Sequence, residues 1–166
     1  MPHTVARSFV EAFYEAYAPR DPKLLAPFLD DDIDWVITGP VELLQFCGRW
    51  RGKAAVLELY ERIVPGIFRI TSFRLHELLV EGDRAAALCR LTADLPNGRS
   101  ISYDLAQFLH FRESKIVQYR ALIDSFNAAE QVIGHEIDLS TDVERQREKV
   151  AVLSDLVAIQ SSARSQ

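Results

Sequence analysis

Apolar residues that repeat every four positions predict a helix at the start of the chain. Phe9, Phe13 and Tyr17 form one apolar stripe, which predicts a helix over residues 4–18. Pro19 ends this helix, because proline cannot continue the backbone hydrogen-bond pattern. The stripe indicates that one side of the helix packs on the core of the domain.

Two further helices are predicted from the residues at their ends. Asp21 and Pro22 begin a short helix, since Asp is a favoured cap and Pro is tolerated in the first turn. Residues 53–64 carry apolar residues at helical spacing, and the Pro65-Gly66 pair ends that helix. The stretch between them, at residues 39–52, is predicted to be a long loop.

Alternation of apolar and polar residues predicts strands in the rest of the chain. Ile33, Trp35 and Ile37 alternate with Asp, Val and Thr, which is typical of a half-buried strand. Residues 67–124 contain turn signals at Glu81-Gly82-Asp83, at Pro96-Asn97-Gly98 and at Arg112-Glu113-Ser114. Consecutive hairpins imply an antiparallel meander, so the predicted fold class is α+β. Poor alternation over residues 67–80 predicts a bulge there.

Strand parity predicts which side chains face the interior, because alternate residues share one face. Over residues 101–111 the more apolar set is Ile101, Tyr103, Leu105, Gln107, Leu109 and Phe111. Gln107 is the one amide of this set, and a buried amide needs hydrogen-bond partners from the protein or from a ligand. The set Val117, Tyr119, Ala121 and Ile123 is predicted to face inward as well. Small residues over 85–93 would leave room for a cavity.

A separate helix is predicted near the C-terminus. Thr141 and Glu144 form a capping box, and the residues that follow carry an apolar face. Such a face must be buried on the domain itself or on a partner subunit. The predicted organisation is therefore one domain at residues 1–126 and a C-terminal helical extension at residues 127–166.

The composition is that of an ordinary folded chain of 166 residues, with 48% hydrophobic and 26% charged residues. A net charge of −5 argues against nucleic acid as a partner, because phosphate backbones are anionic. No apolar run approaches the roughly 20 residues that span a bilayer, and no signal peptide precedes the first helix. We therefore expect a cytoplasmic protein with no membrane partner, in which Cys47 and Cys89 are reduced and buried.

The sequence offers little support for metal or covalent chemistry. The histidines are His3, His76, His110 and His135, and their wide spacing makes no ligand pair. No phosphate-binding loop, dinucleotide fingerprint or nucleophile elbow is present, so no cofactor is expected. His76 is a weak acid/base candidate, although an exposed strand His is the better interpretation. Asp104 lies on the face predicted to point outward, which favours a solvated carboxylate.

Three stretches in a common order resemble the nuclear-transport-factor-2-like superfamily, which includes ketosteroid isomerase, limonene epoxide hydrolase and the SnoaL-like polyketide cyclases. They are residues 51–60 (RGKAAVLELY), residues 108–111 with 114–117 (FLHF, SKIV) and residues 119–122 (YRAL). The resemblance covers roughly residues 4–126. It implies a curved antiparallel sheet, a cone, wrapped around the N-terminal helices and enclosing a small apolar pocket.

The resemblance also implies that the carboxylates of the superfamily are missing here. Gly39 stands where ketosteroid isomerase has its general base, and Gln107 lies near the position of its second Asp, a proton donor to the oxyanion. Ala121 stands at the position of the last-strand Asp of limonene epoxide hydrolase. Phe13 lies near the position of the oxyanion Tyr, and Tyr60 matches the supporting aromatic of the third helix. The chain therefore resembles the pocket of the superfamily without its base.

Three functions remain open, and binding of a small, mostly apolar molecule ranks first. Its predicted contacts are Tyr17, Trp35, Tyr60, Tyr103, Gln107 and Tyr119, where Trp35 is either a stacking wall or plain core. The alternative is a cofactor-independent isomerase, cyclase or hydratase acting on a carbonyl compound. Tyr60 with Tyr17 or Tyr14, together with Gln107, would then stabilise an enolate-like oxygen. His76 or Asp104 would be the base. The third is a homodimeric assembly module formed by the outer face of the sheet and the C-terminal helix.

Overall fold

The first two helices form where the apolar repeats and the caps predict them. The computed structural model describes residues 4–138 together with residues 140 and 144. Helix α1 spans Arg7–Tyr17 and buries its apolar stripe. Helix α2 spans Pro22–Leu25 and is capped by Asp21, whose side chain accepts a hydrogen bond from the Lys23 amide at 2.8 Å. A 3₁₀ turn at Ala26–Phe28 follows it.

The third predicted helix differs from its prediction at its C-terminal end. It consists of α3 at Lys53–Glu58, a π-helical turn at Leu59–Ile63 and α4 at Val64–Ile67. Pro65 does not end the helix, because it lies in the first turn of α4, a position where proline is tolerated. Tyr60 is buried within the π-helical turn.

Six strands of the described chain form one curved, unclosed sheet in the order β2-β1-β6-β5-β4-β3. Their bounds are β1 Leu29–Thr38, β2 Gly48–Arg51, β3 Arg69–Glu81, β4 Arg84–Asp94, β5 Ser100–Arg112 and β6 Lys115–Ile123. β1 and β6 run parallel, and the other neighbours are antiparallel. This confirms the α+β class with a curved sheet around the N-terminal helix. β2 corrects the predicted loop at residues 39–52; it has four residues, too few to show an alternating pattern.

The three turns of the meander lie where the sequence predicts them. Gly82 and Gly98 have φ of 58° and 82°, and Glu113 and Ser114 at the last turn have φ of 49° and 57°. Such left-handed backbone is what tight hairpin turns require. The predicted bulge in β3 is confirmed by two shifts in its pairing with β4, between Ile70 and Ser72 and between Leu75 and Glu77.

The predicted inward set of β5 is confirmed, since all six of its residues are buried. The small residues of β4 are buried too, namely Ala85, Ala87, Cys89, Leu91 and Ala93. On β6, Tyr119 and Ala121 face the core as predicted, but Ile116 is the buried residue at its start rather than Val117. A register shift opposite His110 and Phe111 explains this difference, because one extra residue reverses the parity of the strand.

A fifth helix, α5, follows the sheet at Ser125–Ile133 and packs on β5. Gln131 exchanges hydrogen bonds with the backbone N and O of Ser102 at 2.7 and 2.8 Å, which fixes α5 against that strand. The chain divides into compact units at residues 1–134 and 135–166. The boundary at residue 126 stays a prediction, and most of the helix predicted after Thr141 lies outside the described residues. Within the described part of the chain, no helix has the length and apolar character needed to cross a membrane.

Candidate functional site

Four polar side chains from four different elements meet inside the curved sheet. The hydroxyl of Tyr17, from the last turn of α1, lies 3.1 Å from the Tyr60 hydroxyl and 2.9 Å from the Tyr119 hydroxyl. Gln107 donates from Nε2 to the Tyr119 hydroxyl at 2.6 Å and to the Tyr17 hydroxyl at 3.4 Å. We call these four residues the interior network. It satisfies the amide that the sequence places alone on an apolar face.

The interior network is sealed from solvent, and this sets its electrostatics. Gln107 and Tyr119 are 0% exposed, Tyr17 is 2% exposed and Tyr60 is 3% exposed. Burial raises the pKa of Tyr60 and of Tyr119 well above the ordinary value of 10.0, and the adjacent Tyr17 adds to the effect. The pKa of Tyr103, buried on β5, is raised by burial in the same way. These phenols therefore stay neutral at physiological pH and act as hydrogen-bond donors and acceptors.

Aromatic rings pack around the interior network. Trp35 stacks on Tyr119 with ring centroids 3.5 Å apart and planes at 7°, and it meets Tyr60 edge to face at 5.9 Å. Trp35 is fully buried, and its Nε1 makes no hydrogen bond among the described residues. The Tyr14 hydroxyl is a second buried polar atom without a partner there. Unpartnered buried polar atoms are uncommon and point to a position that another molecule could satisfy.

A pocket of about 440 Å³ opens beside Tyr60. We call it the mouth pocket; its lining includes Pro19, Arg20, Tyr60, Val64, Phe68 and Ile70. Tyr60 thus belongs both to the mouth pocket and to the interior network. The other predicted ligand contacts, Tyr17, Trp35, Tyr103, Gln107 and Tyr119, are buried in the interior and do not form part of this lining.

Arg20 is a site residue that the sequence reasoning missed. Its side chain is buried to 8% exposure, and its guanidinium carbon lies 3.5 Å from the centre of the Tyr17 ring and 4.5 Å from that of Phe73. The residue follows Pro19 in a short polar connection, a context that is typical of a solvated arginine. No local pattern signals its burial, because the covering ring of Phe73 comes from β3.

The two weak candidates for a base lie away from the interior network. Asp104 accepts two hydrogen bonds from Arg90, at 2.7 and 2.8 Å, on the outer face of the sheet. This pairing lowers the pKa of Asp104, and the charge of the exposed His76 lowers it further. The structure therefore brings Tyr60 and Gln107 into one network and places Asp104 on the opposite face of the sheet. No group of three His, Cys, Asp or Glu side chains in the described residues could hold a metal ion.

Neither position at which the superfamily carries these carboxylates has an acidic residue in this chain, and packing closes the one at Gly39. A β-carbon at Gly39 would lie 2.5 Å from the Cys47 sulfur and 2.9 Å from Cδ1 of Ile123, so no side chain fits there without movement. Ala121 is 1% exposed on the inner face of β6 and pairs in register with Gln107. Gly39 therefore has no room for the side chain of a general base, and Ala121 places a methyl group instead of a carboxylate on the inner face of β6.

A curved, unclosed sheet around helix α1, with polar groups in its interior, defines the class of cone-shaped nuclear-transport-factor-2-like domains. The family model described as the SnoaL-like domain matches residues 10–119. The chain belongs to the SnoaL-like domain family. No curated protein matches the chain.

Solved structures of similar fold support this membership. A proposed isomerase from Rhodopseudomonas palustris is 33% identical, with a TM-score of 0.67 over 76% of this chain and 94% of that one. A protein with a ketosteroid-isomerase-like fold from Catenulispora acidiphila, in complex with trimethylamine, is 13% identical, with a TM-score of 0.63 over 79% and 95%. An epoxide hydrolase of the limonene-epoxide-hydrolase type from M. tuberculosis is 16% identical, with a TM-score of 0.61 over 76% and 88%. The last two show the fold alone.

Proposed function

We propose that this domain binds a small, mostly apolar molecule in its cone, entering at the mouth pocket. The observation that carries the proposal is the position of Tyr60, which joins an apolar opening to a set of hydrogen-bonding groups. Small-molecule sites combine mostly apolar walls with a few placed polar groups in a volume of about 300–1,000 Å³. The mouth pocket, at about 440 Å³, falls within that range.

The interior network is proposed to contact the part of a ligand that reaches past Tyr60. A tyrosine O–H can turn from one acceptor to another. Tyr17 and Tyr119 can therefore give up the hydrogen bond between them and bind a carbonyl or hydroxyl of the ligand instead. Gln107 adds an amide donor, while the rings of Trp35 and Tyr103 supply apolar contact. Their joint burial means that such a ligand would be enclosed on most sides.

A ligand screen by thermal unfolding tests the proposal. A ligand at about 100 times its Kd stabilises the folded state by roughly 2.7 kcal/mol, which is a rise of several degrees in Tm. We expect this rise for small apolar compounds with one carbonyl or hydroxyl, and we expect Ile70→Trp to abolish it by filling the mouth pocket. The matched control is Thr71→Trp, the next residue of β3, which is exposed and does not line the pocket. No stabilisation by any such compound, or equal loss in both variants, would contradict the proposal.

An isomerase or cyclase acting on a carbonyl compound is the second candidate. Its support is the interior network itself, because neutral Tyr and Gln donors can stabilise an oxygen on which negative charge develops. The 33% identity to a proposed isomerase points in the same direction. Compounds that raise Tm should therefore also be analysed for conversion after incubation with the protein, with Tyr60→Phe/Gln107→Leu as the comparison.

A homodimer through the outer face of the sheet is the third candidate. The large apolar side chains exposed there are Leu79 at 70%, Phe108 at 50%, Leu122 at 50% and Leu88 at 40%. We call these four residues the outer patch. Strand register makes them neighbours, because Leu79, Ala86 and Phe108 form one row and Leu88, Ala106 and Leu122 the next. A contiguous apolar patch of this kind marks an interaction surface, and two copies related by a two-fold axis would cover each other's patch.

Sedimentation analysis tests the homodimer. We expect wild-type protein at twice the 18.8 kDa chain mass, and Phe108→Asp/Leu122→Asp at the mass of one chain, because two carboxylates would be desolvated in each patch. Leu24→Asp is the control, since Leu24 is 48% exposed on α2 and outside the outer patch. A monomeric wild type, or a double variant that stays dimeric, would exclude this interface.

A cytoplasmic location with no nucleic-acid partner completes the proposal. Cys47 and Cys89 are free and buried, as expected for reduced thiols. Burial raises the pKa of each to about 12, so both stay protonated and unreactive. The net charge of −5 disfavours binding to a phosphate backbone.

A further inference from the structure

Arg20 is an almost buried cation without an anionic partner among the described residues. Its guanidinium has five N–H donors and is always charged in proteins. Within that part of the chain it makes one side-chain hydrogen bond, from Nη1 to the backbone oxygen of Tyr17. No described carboxylate lies within ion-pair distance of it, although its side chain is only 8% exposed. Buried charges are normally paired, so this one is unusual.

The orientation of Arg20 is fixed from both its backbone and its side chain. Its backbone has φ of 58°, a left-handed conformation, and its amide donates to the Tyr17 oxygen at 3.1 Å. The guanidinium stacks against the Tyr17 ring and lies 4.5 Å from the centre of the Phe73 ring. The Tyr17 ring covers one flat face of the guanidinium, and the Phe73 ring lies beside the group rather than across its opposite face, because the two ring centroids are 5.3 Å apart. One N–H of the guanidinium donates to the Tyr17 oxygen, and its other N–H donors make no hydrogen bond among the described residues.

The mouth pocket, which Arg20 lines, also has apolar walls. Val64, Phe68 and Ile70 contribute to these walls. The second cation of the lining, Arg69, is already neutralised by Asp94 at 2.6 Å. One positive charge of the lining therefore has no countercharge among the described residues, and a ligand with a single negative charge balances it.

We infer that the mouth pocket takes a monocarboxylate with a compact apolar body, and that Arg20 binds its carboxylate. The planar fork of a guanidinium matches the two oxygens of a carboxylate, and the apolar walls match the body. A phosphate group would bring up to two negative charges, and the single unpaired guanidinium could balance only one of them. Charge balance therefore favours a carboxylate over a phosphate. The inference rests on the proposed function and adds to it the class of ligand.

Calorimetric titration with a matched pair of probes tests the inference. 2-Naphthoate and 2-naphthamide have the same apolar body and differ in charge. We expect wild-type protein to bind the naphthoate roughly tenfold or more tightly than the naphthamide, because hydrogen bonds to charged groups are the strong ones. Arg20→Met should reduce that ratio to about one, and Arg20→Lys, which keeps the charge without the fork, should give an intermediate ratio. Arg74→Gln, which removes an exposed cation of β3 outside the mouth pocket, is the control that should leave the ratio nearly unchanged.

Each outcome separates the inference from the proposed function. Equal affinity of wild type for both probes overturns the carboxylate and leaves apolar binding in place. Binding of neither probe overturns both. A tenfold preference that survives Arg20→Met shows that another group binds the carboxylate and overturns the role of Arg20. If Arg20→Met fails to fold, as judged by circular dichroism, the wild-type ratio and the Arg20→Lys ratio decide the matter.

Discussion

Replacing Gln107 with Glu is expected to make the stability of this domain depend strongly on pH. Gln107 is 0% exposed and donates from Nε2 to Tyr119 and to Tyr17. A protonated Glu has nearly the same shape and keeps one donor, so at acidic pH the variant should resemble wild type. An ionised Glu would place a charge in a sealed, mostly neutral interior.

The sign and size of this effect follow from linkage. Burial raises the pKa of the introduced carboxyl in the folded state above its unfolded value of about 4.3, so the loss of stability begins above that pH. It grows as pH rises and levels off above the folded-state pKa. Fully buried carboxyls are shifted by up to 3–5 units, and a shift of about three units corresponds to about 4 kcal/mol. The nearby charge of Arg20, which already lowers the pKa of Cys89 and Tyr60 against the effect of burial, favours the lower end of that range.

Urea unfolding between pH 4.5 and pH 8 measures the difference in free energy of unfolding between variant and wild type. Gln118→Glu is the matched control, because Gln118 is an exposed position on the adjacent strand β6. We expect the control to stay within about 0.5 kcal/mol of wild type at every pH. A Gln107→Glu difference that does not change with pH would show that water or a countercharge reaches the interior network.

Gly39→Ala is expected to destabilise the domain by about 1–3 kcal/mol, the usual cost of overpacking. The added β-carbon would lie 2.5 Å from the sulfur of Cys47, which is buried and whose amide is hydrogen-bonded to the Leu44 oxygen. The conformation at Gly39 is not left-handed, so the expected cost is steric. Gly39→Asp should cost more, because a carboxylate is larger and charged. Restoring the carboxylate of the superfamily at this position is therefore expected to harm the fold.

Gly66→Ala is the matched control for this experiment. No atom lies within 4 Å of a β-carbon at Gly66, and the residue lies in helix α4, where Ala is favoured by up to about 1 kcal/mol. The double variant Gly39→Ala/Cys47→Ala should recover part of the loss, since it removes the sulfur that the new methyl group meets. Thermal and urea unfolding of wild type and these four variants would check these values. A Gly39→Ala variant as stable as wild type would mean that the Cys47 side chain moves freely.

The fold was predictable because its local signals and its packing agree. Alternation over β5 places Gln107 among buried residues, and Asn97 with Gly98 marks a tight turn that the structure contains. The α+β class, the order of hairpins and the inward face of the main strands follow from such patterns. The predicted inward orientation of Val117 was wrong. A single bulge reverses the alternation of inward and outward residues, and the hydrophobic pattern of the sequence does not reveal it.

The candidate site was only partly predictable, because its residues meet through long-range contacts. Tyr17, Tyr60, Gln107 and Tyr119 were each selected from parity or resemblance, and the structure joins them into one network. Arg20 could not be selected, since its burial depends on a ring from β3. The extension of the third helix beyond Pro65 was also missed, because proline followed by glycine normally marks the end of a helix.

The parallel pairing of β1 with β6 has a consequence for how this chain reaches its native state. Trp35 pairs in register with Tyr119, so two neighbouring strands inside the sheet come from segments that lie far apart along the sequence. Contacts of such long sequence separation slow folding, because the chain loses the entropy of closing a large loop before these contacts form. Strands β3 to β6 can pair through successive hairpins. β1 precedes them in the sequence and can pair with β6 only after β6 has formed. The interior network joins Tyr17 of α1 to Tyr119 of β6, a contact of similarly long sequence separation, so we expect it to form late in folding as well.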